Sequence, residues 1–243
     1  MALIKNANAD VDEEAFMGYT TEEIRGRLDN LSVNMSLLYK DDSINYTGKT
    51  TDTDEYYTEV ISQWLTERID LLETIKPITR QSSYRIAGHD GIPDNPDSNR
   101  TEELIAMAIK RQGTLPLVGE IIDYQTPLKN VRTDKAGKID ILAYDGTTLR
   151  ILELKEPDSD ETMLRCVLEG YTYLKTVDSA KLLADFKLPP DTVVKACPFV
   201  FKGGCQWEEM QQDRSHLKRL MDIIMSKPYY ITEKNNEYIV TEE

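Results

Sequence analysis

Three charged residues interrupt apolar stretches in the middle of the chain. Asp140 lies within GKIDILAYD, and Glu153 and Lys155 lie within TTLRILELKE. Charged groups in such stretches are costly to bury unless a partner compensates them. Because two crowded carboxylates need a cation between them, we expect Mg²⁺ or Mn²⁺, which both prefer oxygen ligands. Such an ion can polarise a phosphate ester and activate a water molecule.

Alternation along a strand predicts how the second stretch is arranged. Glu153 and Lys155 should share one face, while Leu152 and Leu154 point into a core on the other. We expect the carbonyl of Leu154 to complete the metal shell. Lys155 would orient or deprotonate the attacking water, or stabilise negative charge that develops on the phosphate.

The two stretches are joined by a hairpin signal, Asp145–Gly146. A two-residue turn centred there pairs Tyr144 with Thr147. This register makes Asp140 and Glu153 diagonal neighbours on one face. The sequence therefore predicts that both carboxylates lie close to the same lysine.

The elements around this hairpin follow from hydrophobic periodicity and turn residues. The predicted order is a helix, three strands, a helix, a strand, a long helix and a hairpin. The corresponding ranges are 100–113, 117–128, 137–145, 147–156, 160–175, 192–201, 206–227 and 229–241.

Residues 1–87 are predicted to form a helical N-terminal extension. Amphipathic helices are expected from Thr20 or Thr21 to about residue 39, and over about 54–75. A segment rich in glycine and proline, residues 88–99, then separates the extension from a core over 100–243. This segment contains His89, for which a solvated loop position is preferred over a metal ligand.

The pattern of Asp140 followed by a hairpin and Glu153-Leu154-Lys155 resembles the catalytic core of the PD-(D/E)XK nuclease superfamily. The resemblance covers about residues 100–202, although Ile139 stands where the superfamily often has proline. It implies a restriction-endonuclease-like α/β core, a central mixed β-sheet flanked by helices. It also implies metal-dependent cleavage of nucleic acid in which Asp140 and Glu153 bind Mg²⁺ or Mn²⁺.

The resemblance implies a further acidic residue on the helix before the first strand. Glu103 is the preferred candidate and would support the metal or the lysine. Glu102 is the substitute, and Glu120 in the first strand is a third choice.

The resemblance also implies substrate contacts on the helix after Glu-x-Lys. Arg165, Glu169 and Tyr173 lie four residues apart on one helix face, and Glu169 stands where the superfamily commonly has glutamine. Arg165 would contact a phosphate, and Glu169 would orient the catalytic lysine. Gln125 and Lys129 are expected to line the same cleft.

Composition limits the classes of function. The chain of 243 residues has 29 basic and 43 acidic residues, a net charge of −14, which argues against coating nucleic acid by bulk electrostatics. Only residues 76–155 lack an acidic excess. Two histidines exclude a zinc hydrolase built on several histidines, and three cysteines predict a reduced, cytoplasmic setting. No apolar run is long enough to span a membrane.

Two functions of different classes are compatible with these features. The first is a metal-dependent nuclease, with DNA preferred over RNA as the substrate. The second is a non-catalytic module that binds nucleic acid or protein on a nuclease-like scaffold. Hydrolysis of another phosphoester is a third interpretation, and a homodimer or a complex with a partner protein is left open.

Overall fold

The computed structural model describes residues 18–130 and 137–242. The described part begins with two short α-helices, α1 (Thr21–Leu31) and α2 (Tyr57–Glu67). Thr20 caps α1, since its side chain accepts from the Glu23 amide while the Glu23 carboxylate accepts from the Thr20 amide. This cap confirms the predicted start of the helix.

Both N-terminal helices are shorter than the sequence predicts. Three 3₁₀ segments take up the remaining length, at Met35–Lys40, Asp42–Asn45 and Ile69–Thr74. Asn34 ends the helical geometry after α1 with φ −143° and ψ 82°. Its side chain accepts from the Ser36 hydroxyl, a local bond of the kind that competes with helix.

The N-terminal segment packs onto the sheet and does not stand apart from it. Ile24, Leu28 and Ile61 belong to one buried cluster together with Ile151 of the sheet. The carboxylate of Glu59, itself buried, accepts from the backbone amides at the start of a C-terminal helix, at 2.8 and 2.9 Å. The predicted extension therefore shares a core with the segment that follows it. Residues 1–17 lie outside the described residues.

Within the described ranges, seven strands form one mixed sheet in the order of the sequence. The pairs β4–β5 and β5–β6 are parallel, and the other four pairs are antiparallel. The strands are β1 (Thr114–Leu115), β2 (Gly119–Pro127), β3 (Lys138–Tyr144), β4 (Thr148–Leu154), β5 (Val193–Phe201), β6 (Tyr229–Lys234) and β7 (Glu237–Thr241).

Helices cover both faces of the sheet. The helices after α2 are α3 (Thr101–Gln112), α4 (Met163–Thr176), α5 (Ser179–Asp185), α6 (Cys205–Met210) and α7 (Ser215–Ile223). Apolar residues of α3 share a buried cluster with one face of β3 and β4, and those of α4 share a cluster with the opposite face. The α4 face carries the charged residues singled out from the sequence.

The single long helix predicted over 206–227 is wrong, because α6 and α7 are separate helices. Arg214 breaks the helix with φ −128° and ψ 54°. Its buried guanidinium lies 3.3 Å from the centroid of the Tyr56 ring and 3.4 Å from Glu209. Contacts with a distant part of the chain therefore fix the break.

The predicted C-terminal hairpin is confirmed. Asn235 and Asn236 both have positive φ, 54° and 63°, as a two-residue hairpin turn requires. The side-chain amide of Gln112 bonds both the N–H and the carbonyl of Tyr238, at 2.8 and 2.9 Å, and so covers the edge of β7. The sheet curls until β1 approaches β7.

The structure is thus a mixed α/β fold in which helices flank a seven-stranded sheet. The predicted order of elements is confirmed apart from the divided helix, and the structure adds the short β1 and α5. Among the described residues, no helix has both the length and the apolar character needed to cross a bilayer.

Candidate active site

The β3–β4 hairpin brings Asp140 and Glu153 together more directly than expected. Ile141 pairs with Leu152, and the same register continued by one residue sets Asp140 directly opposite Glu153. The predicted register, in which the two carboxylates were diagonal neighbours, is wrong by two residues. They lie on the face of the sheet that packs against α4.

The turn explains this shift. Tyr144 pairs with Leu149 and not with Thr147, so the turn is centred on Gly146–Thr147, one residue later than predicted. Gly146 has φ 100°, a conformation suited to glycine at the first central position. The Asp145 side chain accepts from the amides of Thr147 and Thr148, at 2.9 and 2.8 Å, which holds the turn in this position.

Asp140 is held by one hydrogen bond to each carboxylate oxygen. Its Oδ1 accepts from Gln125 Nε2 at 3.0 Å, and its Oδ2 accepts from the Leu154 amide at 3.0 Å. Burial raises the pKa of Asp140 to about 7; the Lys155 ammonium opposes this shift, and the charge of Glu102 adds to it. The Asp140 carboxyl therefore ionises less readily than a solvated aspartate.

Lys155 lies among three carboxylates. Its Nζ is 2.9 Å from Glu153 Oε1, 2.9 Å from Glu161 Oε2 and 3.2 Å from Glu169 Oε2. Burial alone would lower the pKa of Lys155, but the charges of Glu153 and Glu169 outweigh it and raise that pKa. The ammonium therefore keeps its proton. We call Asp140, Glu153, Glu161 and Glu169 the carboxylate cluster.

The pKa values of two carboxyl groups in the cluster, Glu153 and Glu169, are shifted in opposite directions. Burial, together with the charge of Asp140, raises the pKa of Glu153 well above its usual range. The pKa of Glu169 is lowered in spite of burial, because Lys155 and the Tyr173 hydroxyl stabilise its charged form. Tyr173 donates to Glu169 Oε1 at 2.7 Å. Glu169 thus lies at ion-pair distance from Lys155, a position that the predicted orienting role requires.

Two oxygens of the cluster form no hydrogen bond in the described part of the chain, Glu153 Oε2 and Glu161 Oε2, and of these Glu161 Oε2 lies at ion-pair distance from Lys155. Glu153 Oε2 is fully buried and unpaired, while Oε1 accepts from Lys155. The Leu154 amide points toward β3, and the carbonyl of a strand residue points to the same side as its amide. A divalent cation that prefers oxygen fits Asp140, Glu153 and this carbonyl, with water or substrate as further ligands.

The ligand set is small, and that bears on the choice of metal. Within residues 18–130 and 137–242, no group of three or more histidine, cysteine, aspartate or glutamate side chains is arranged to hold an ion. Two carboxylates and a carbonyl suit Mg²⁺, which usually keeps several waters, better than a metal that needs a complete protein shell.

A cleft of about 590 Å³ opens onto Asp140. The N-terminal end of α3 forms one wall, and Gln125, Lys138 and Tyr173 contribute to the rest. Gly137 borders the site, and a side chain there would overlap the Tyr173 hydroxyl. Glu153 and Lys155, at 2% and 5% exposure, do not line the cleft.

The two candidate acidic residues on α3 have different surroundings. Glu103 lines the cleft, but its carboxylate pairs with Arg100 at 3.2 Å. Burial raises the pKa of Glu102, and its charge acts on both Asp140 and Lys155. Its electrostatic coupling to the cluster therefore favours Glu102, the substitute, over Glu103. Glu120 pairs with Tyr144, at the turn end of β3 and away from Asp140.

Of the remaining predicted residues, Gln125 and Tyr173 line the cleft, whereas Arg165 and Lys129 are not among the described residues that do. Gln125 contacts Asp140 directly, from a position with φ 47°, and Tyr173 lines the cleft. Arg165 pairs with Glu161 at 2.8 Å, so its guanidinium already has a partner. Lys129 is not among the described residues that line the cleft.

Glu161 is the functional residue that sequence reasoning missed. It contacts both Lys155 and Arg165, although it lies in the loop before α4. Glu161 lies four residues before Arg165, and this spacing could have predicted the ion pair between them. That spacing could not reveal the contact with Lys155, which depends on how the loop returns to β4.

The assignment of function rests on this geometry alone. A comparison with protein-family models finds no match for the chain, and comparisons with curated proteins and with solved structures find none either.

Proposed function

We propose that the protein hydrolyses phosphodiester bonds in nucleic acid, with DNA preferred over RNA, on a restriction-endonuclease-like core. The observation that carries this proposal is the juxtaposition of Asp140 and Glu153 on neighbouring strands, with Lys155 beside Glu153 and one Glu153 oxygen unpaired. Carboxylates that crowd together without enough countercharge favour a divalent cation.

Mg²⁺ or Mn²⁺ would be held by Asp140, Glu153 and the Leu154 carbonyl, and when bound would supply Lewis-acid activation of water and phosphate. Gln125 and the Leu154 amide orient Asp140 for this task. Gln125 Nε2 and the Leu154 amide each donate one hydrogen bond to a different Asp140 oxygen. Each oxygen therefore keeps a lone pair for a further contact.

Lys155 would act as a fixed cation and hydrogen-bond donor and not as a general base. Its neighbours Glu153 and Glu169 raise its pKa, so the ammonium stays protonated near neutral pH. A fixed positive charge stabilises the negative charge that develops on a phosphate during attack. Glu169, itself held by Tyr173, keeps the ammonium in position.

Substrate would approach through the cleft at Asp140. Lys138 and Arg100 line this cleft and are exposed, so each can contact a phosphate of the strand, for which Arg100 would have to leave its ion pair with Glu103. With a net charge of −14 over the chain, these local cations matter more than the protein's overall field.

The second candidate is a non-catalytic module that binds nucleic acid or protein on the same scaffold. The enclosure of Lys155 by Glu153, Glu161 and Glu169 favours it, because the lysine already supplies a cation to these carboxylates. Its 5% exposure also limits contact with a substrate.

A cleavage assay separates the two functions. Wild-type protein is incubated with single-stranded, double-stranded and branched DNA and with RNA, in Mg²⁺ and then in Mn²⁺. We expect cleavage, and a loss of about a hundredfold or more in Glu153→Gln and Lys155→Met, a typical contribution of one catalytic group. Glu120→Gln and Lys175→Met, which lie outside the cluster, are the matched controls. No cleavage of any substrate with either ion would refute the nuclease proposal and favour the binding module.

A further inference from the structure

A second arrangement of chemically active groups lies between residues 83–90, α3 and β2. His89 Nδ1 lies 2.8 Å from Asp123 Oδ1, and Asp123 is 2% exposed. The other Asp123 oxygen accepts from the Thr126 hydroxyl at 2.9 Å. The Tyr124 ring packs beside the imidazole, with ring centroids 4.6 Å apart. His89 is therefore positioned by two contacts with β2, in contrast to the solvated loop position preferred from the sequence.

The contact with Asp123 determines which ring nitrogen is available. A carboxylate only accepts hydrogen bonds, so His89 Nδ1 must carry the proton. In the neutral ring, Nε2 then presents a lone pair, and in the charged ring it presents an N–H. Among the described residues, Nε2 has no hydrogen-bond partner, and the imidazole lines a cleft of about 450 Å³.

Two further cations line this cleft. Lys110 Nζ donates to the carbonyls of Ile121 and Ile122, at 2.7 and 3.1 Å, and Arg85 is exposed at the rim. In the described part of the chain, neither has a carboxylate partner within ion-pair distance. Unpaired cations are notable in a protein with 43 acidic and 29 basic residues.

The acidic groups around the cleft leave this positive character in place. Asp123 is already engaged by His89 and Thr126. Asp90 also lines the cleft, and its Oδ1 accepts from the Ile92 amide. The two cations and the imidazole thus face one free carboxylate.

We propose that His89, held by Asp123, forms with Lys110 and Arg85 a binding site for a phosphate monoester group. Such a group offers several acceptor oxygens to an ammonium and a guanidinium. Its second ionisation lies near neutral pH, so it presents protonated and unprotonated oxygens. One of them can therefore pair with Nε2 in either state of the ring. A phosphodiester or a carboxylate lacks this match.

A metal site at His89 is less consistent with the surroundings. It would need at least two more ligand side chains directed at Nε2. No such group of three occurs in the described ranges. The site is also independent of the carboxylate cluster and does not rest on the proposed nuclease function.

The two histidines of the chain make the site directly observable. His216 lies on α7, 3.9 Å from Glu55, and serves as an internal control. We would record the imidazole ¹⁵N and ¹H signals of the labelled protein during titration with inorganic phosphate. Parallel titrations would use a nucleoside 5′-monophosphate and a 5′-phosphorylated oligonucleotide, all at constant pH and ionic strength. Sodium sulfate, an anion that carries no proton near neutral pH, is the matched control.

We expect the His89 signals to shift saturably with at least one phosphate monoester, while His216 and the sulfate titration show no change. Arg85→Gln should weaken this binding about tenfold, comparable to one charge-assisted hydrogen bond. Arg219→Gln, a surface change on α7, should leave it unaltered. Tighter binding of the nucleotide or the oligonucleotide than of free phosphate would identify the source of the group.

Three outcomes would overturn the proposal. The His89 signals could stay unchanged with every phosphate probe, sulfate could shift them equally, or both histidines could respond together. Asp140→Asn should retain phosphate binding at His89. The two proposals can therefore fail separately. A protein without nuclease activity could still bind phosphate at His89, and a protein without this binding could still cleave nucleic acid.

Discussion

Lys155, the residue after β4, has its Nζ 2.9 Å from Oε1 of Glu153 on β4, and the two side chains are only 6% and 3% exposed. Glu161 and Glu169 approach the same ammonium, so a single cation serves three carboxylates. This arrangement satisfies the lysine but leaves one Glu153 oxygen unpaired. Changes at Glu153 or Lys155 are therefore expected to affect both the stability of the fold and the chemistry proposed for the site.

Divalent ions should stabilise the protein. If Asp140 and Glu153 share Mg²⁺ or Mn²⁺, the ion binds the folded state and raises Tm, by the equivalent of about 2.7 kcal/mol at a hundred times its Kd. Asp140→Asn should abolish the increase, as followed by differential scanning calorimetry. Asp191→Asn, an exposed change before β5, should retain it. An equal increase in Asp140→Asn would contradict the proposed ligands.

Removing the buried lysine should be far more damaging than removing a surface lysine. Lys155→Met leaves Glu153, Glu161 and Glu169 without their countercharge, which typically costs about 3–5 kcal/mol of unfolding free energy. Lys175→Met breaks an exposed ion pair with Glu73 and should cost at most about 1 kcal/mol. Urea denaturation measures both. Similar losses in the two variants would mean that the carboxylate cluster is solvated or uncharged.

Stability should decrease as pH rises from about 4 to 7. Burial raises the pKa of Asp140 from 3.8 to about 7, so in this window the unfolded chain has released a proton that the folded state keeps. The folded state binds more protons there, and the unfolding free energy therefore falls with pH. The raised pKa of Glu153 has the same effect on the unfolding free energy. The lowered pKa of Glu169 changes the unfolding free energy only at lower pH.

Urea unfolding at pH 5, 6, 7 and 8 tests this dependence. Asp140→Asn cannot titrate at this position, so its stability should change less with pH than that of the wild type, while Asp191→Asn should follow the wild type. Identical pH profiles for wild type and Asp140→Asn would show that Asp140 ionises normally in the folded state.

Binding to DNA should depend only weakly on salt. Lys155 is buried and Arg165 is paired with Glu161, so few cations are free to neutralise phosphates. We expect a slope of log K against log salt of about −2 to −3, corresponding to two or three phosphate contacts at about 0.9 each. Lys138→Gln should reduce the slope by about 0.9 if Lys138 contacts one phosphate.

Fluorescence anisotropy with a labelled oligonucleotide, measured across a range of salt concentrations, gives this slope. Lys227→Gln is the control, because Lys227 pairs with Glu242 near the C-terminus and does not line the cleft. A slope near −7, as expected for about eight neutralised phosphates, would reveal a basic surface outside the described cleft.

Local sequence signals predicted much of the fold and the proximity of Asp140, Glu153 and Lys155 in the candidate site. The cap at Thr20, the C-terminal hairpin and the strand that places Glu153 and Lys155 on one face all depend on neighbours within a few residues. Such features follow from short-range hydrogen bonding and strand alternation, which the sequence displays directly.

The tertiary structure decided what depends on distant neighbours. The loop before α4 brought Glu161 to Lys155, and the packing of α3 favoured Glu102 over Glu103. These outcomes depend on how separate elements pack together.

The dyad of His89 and Asp123 illustrates the same division. The sequence displays one histidine in a turn-rich segment and one aspartate in a strand, 34 residues apart. Only the packing of that segment against α3 and β2 brings the ring to a buried carboxylate, which then determines the nitrogen that faces the cleft. A hydrogen bond between residues so far apart is specified by the whole fold, because neither residue carries a local signal for its partner.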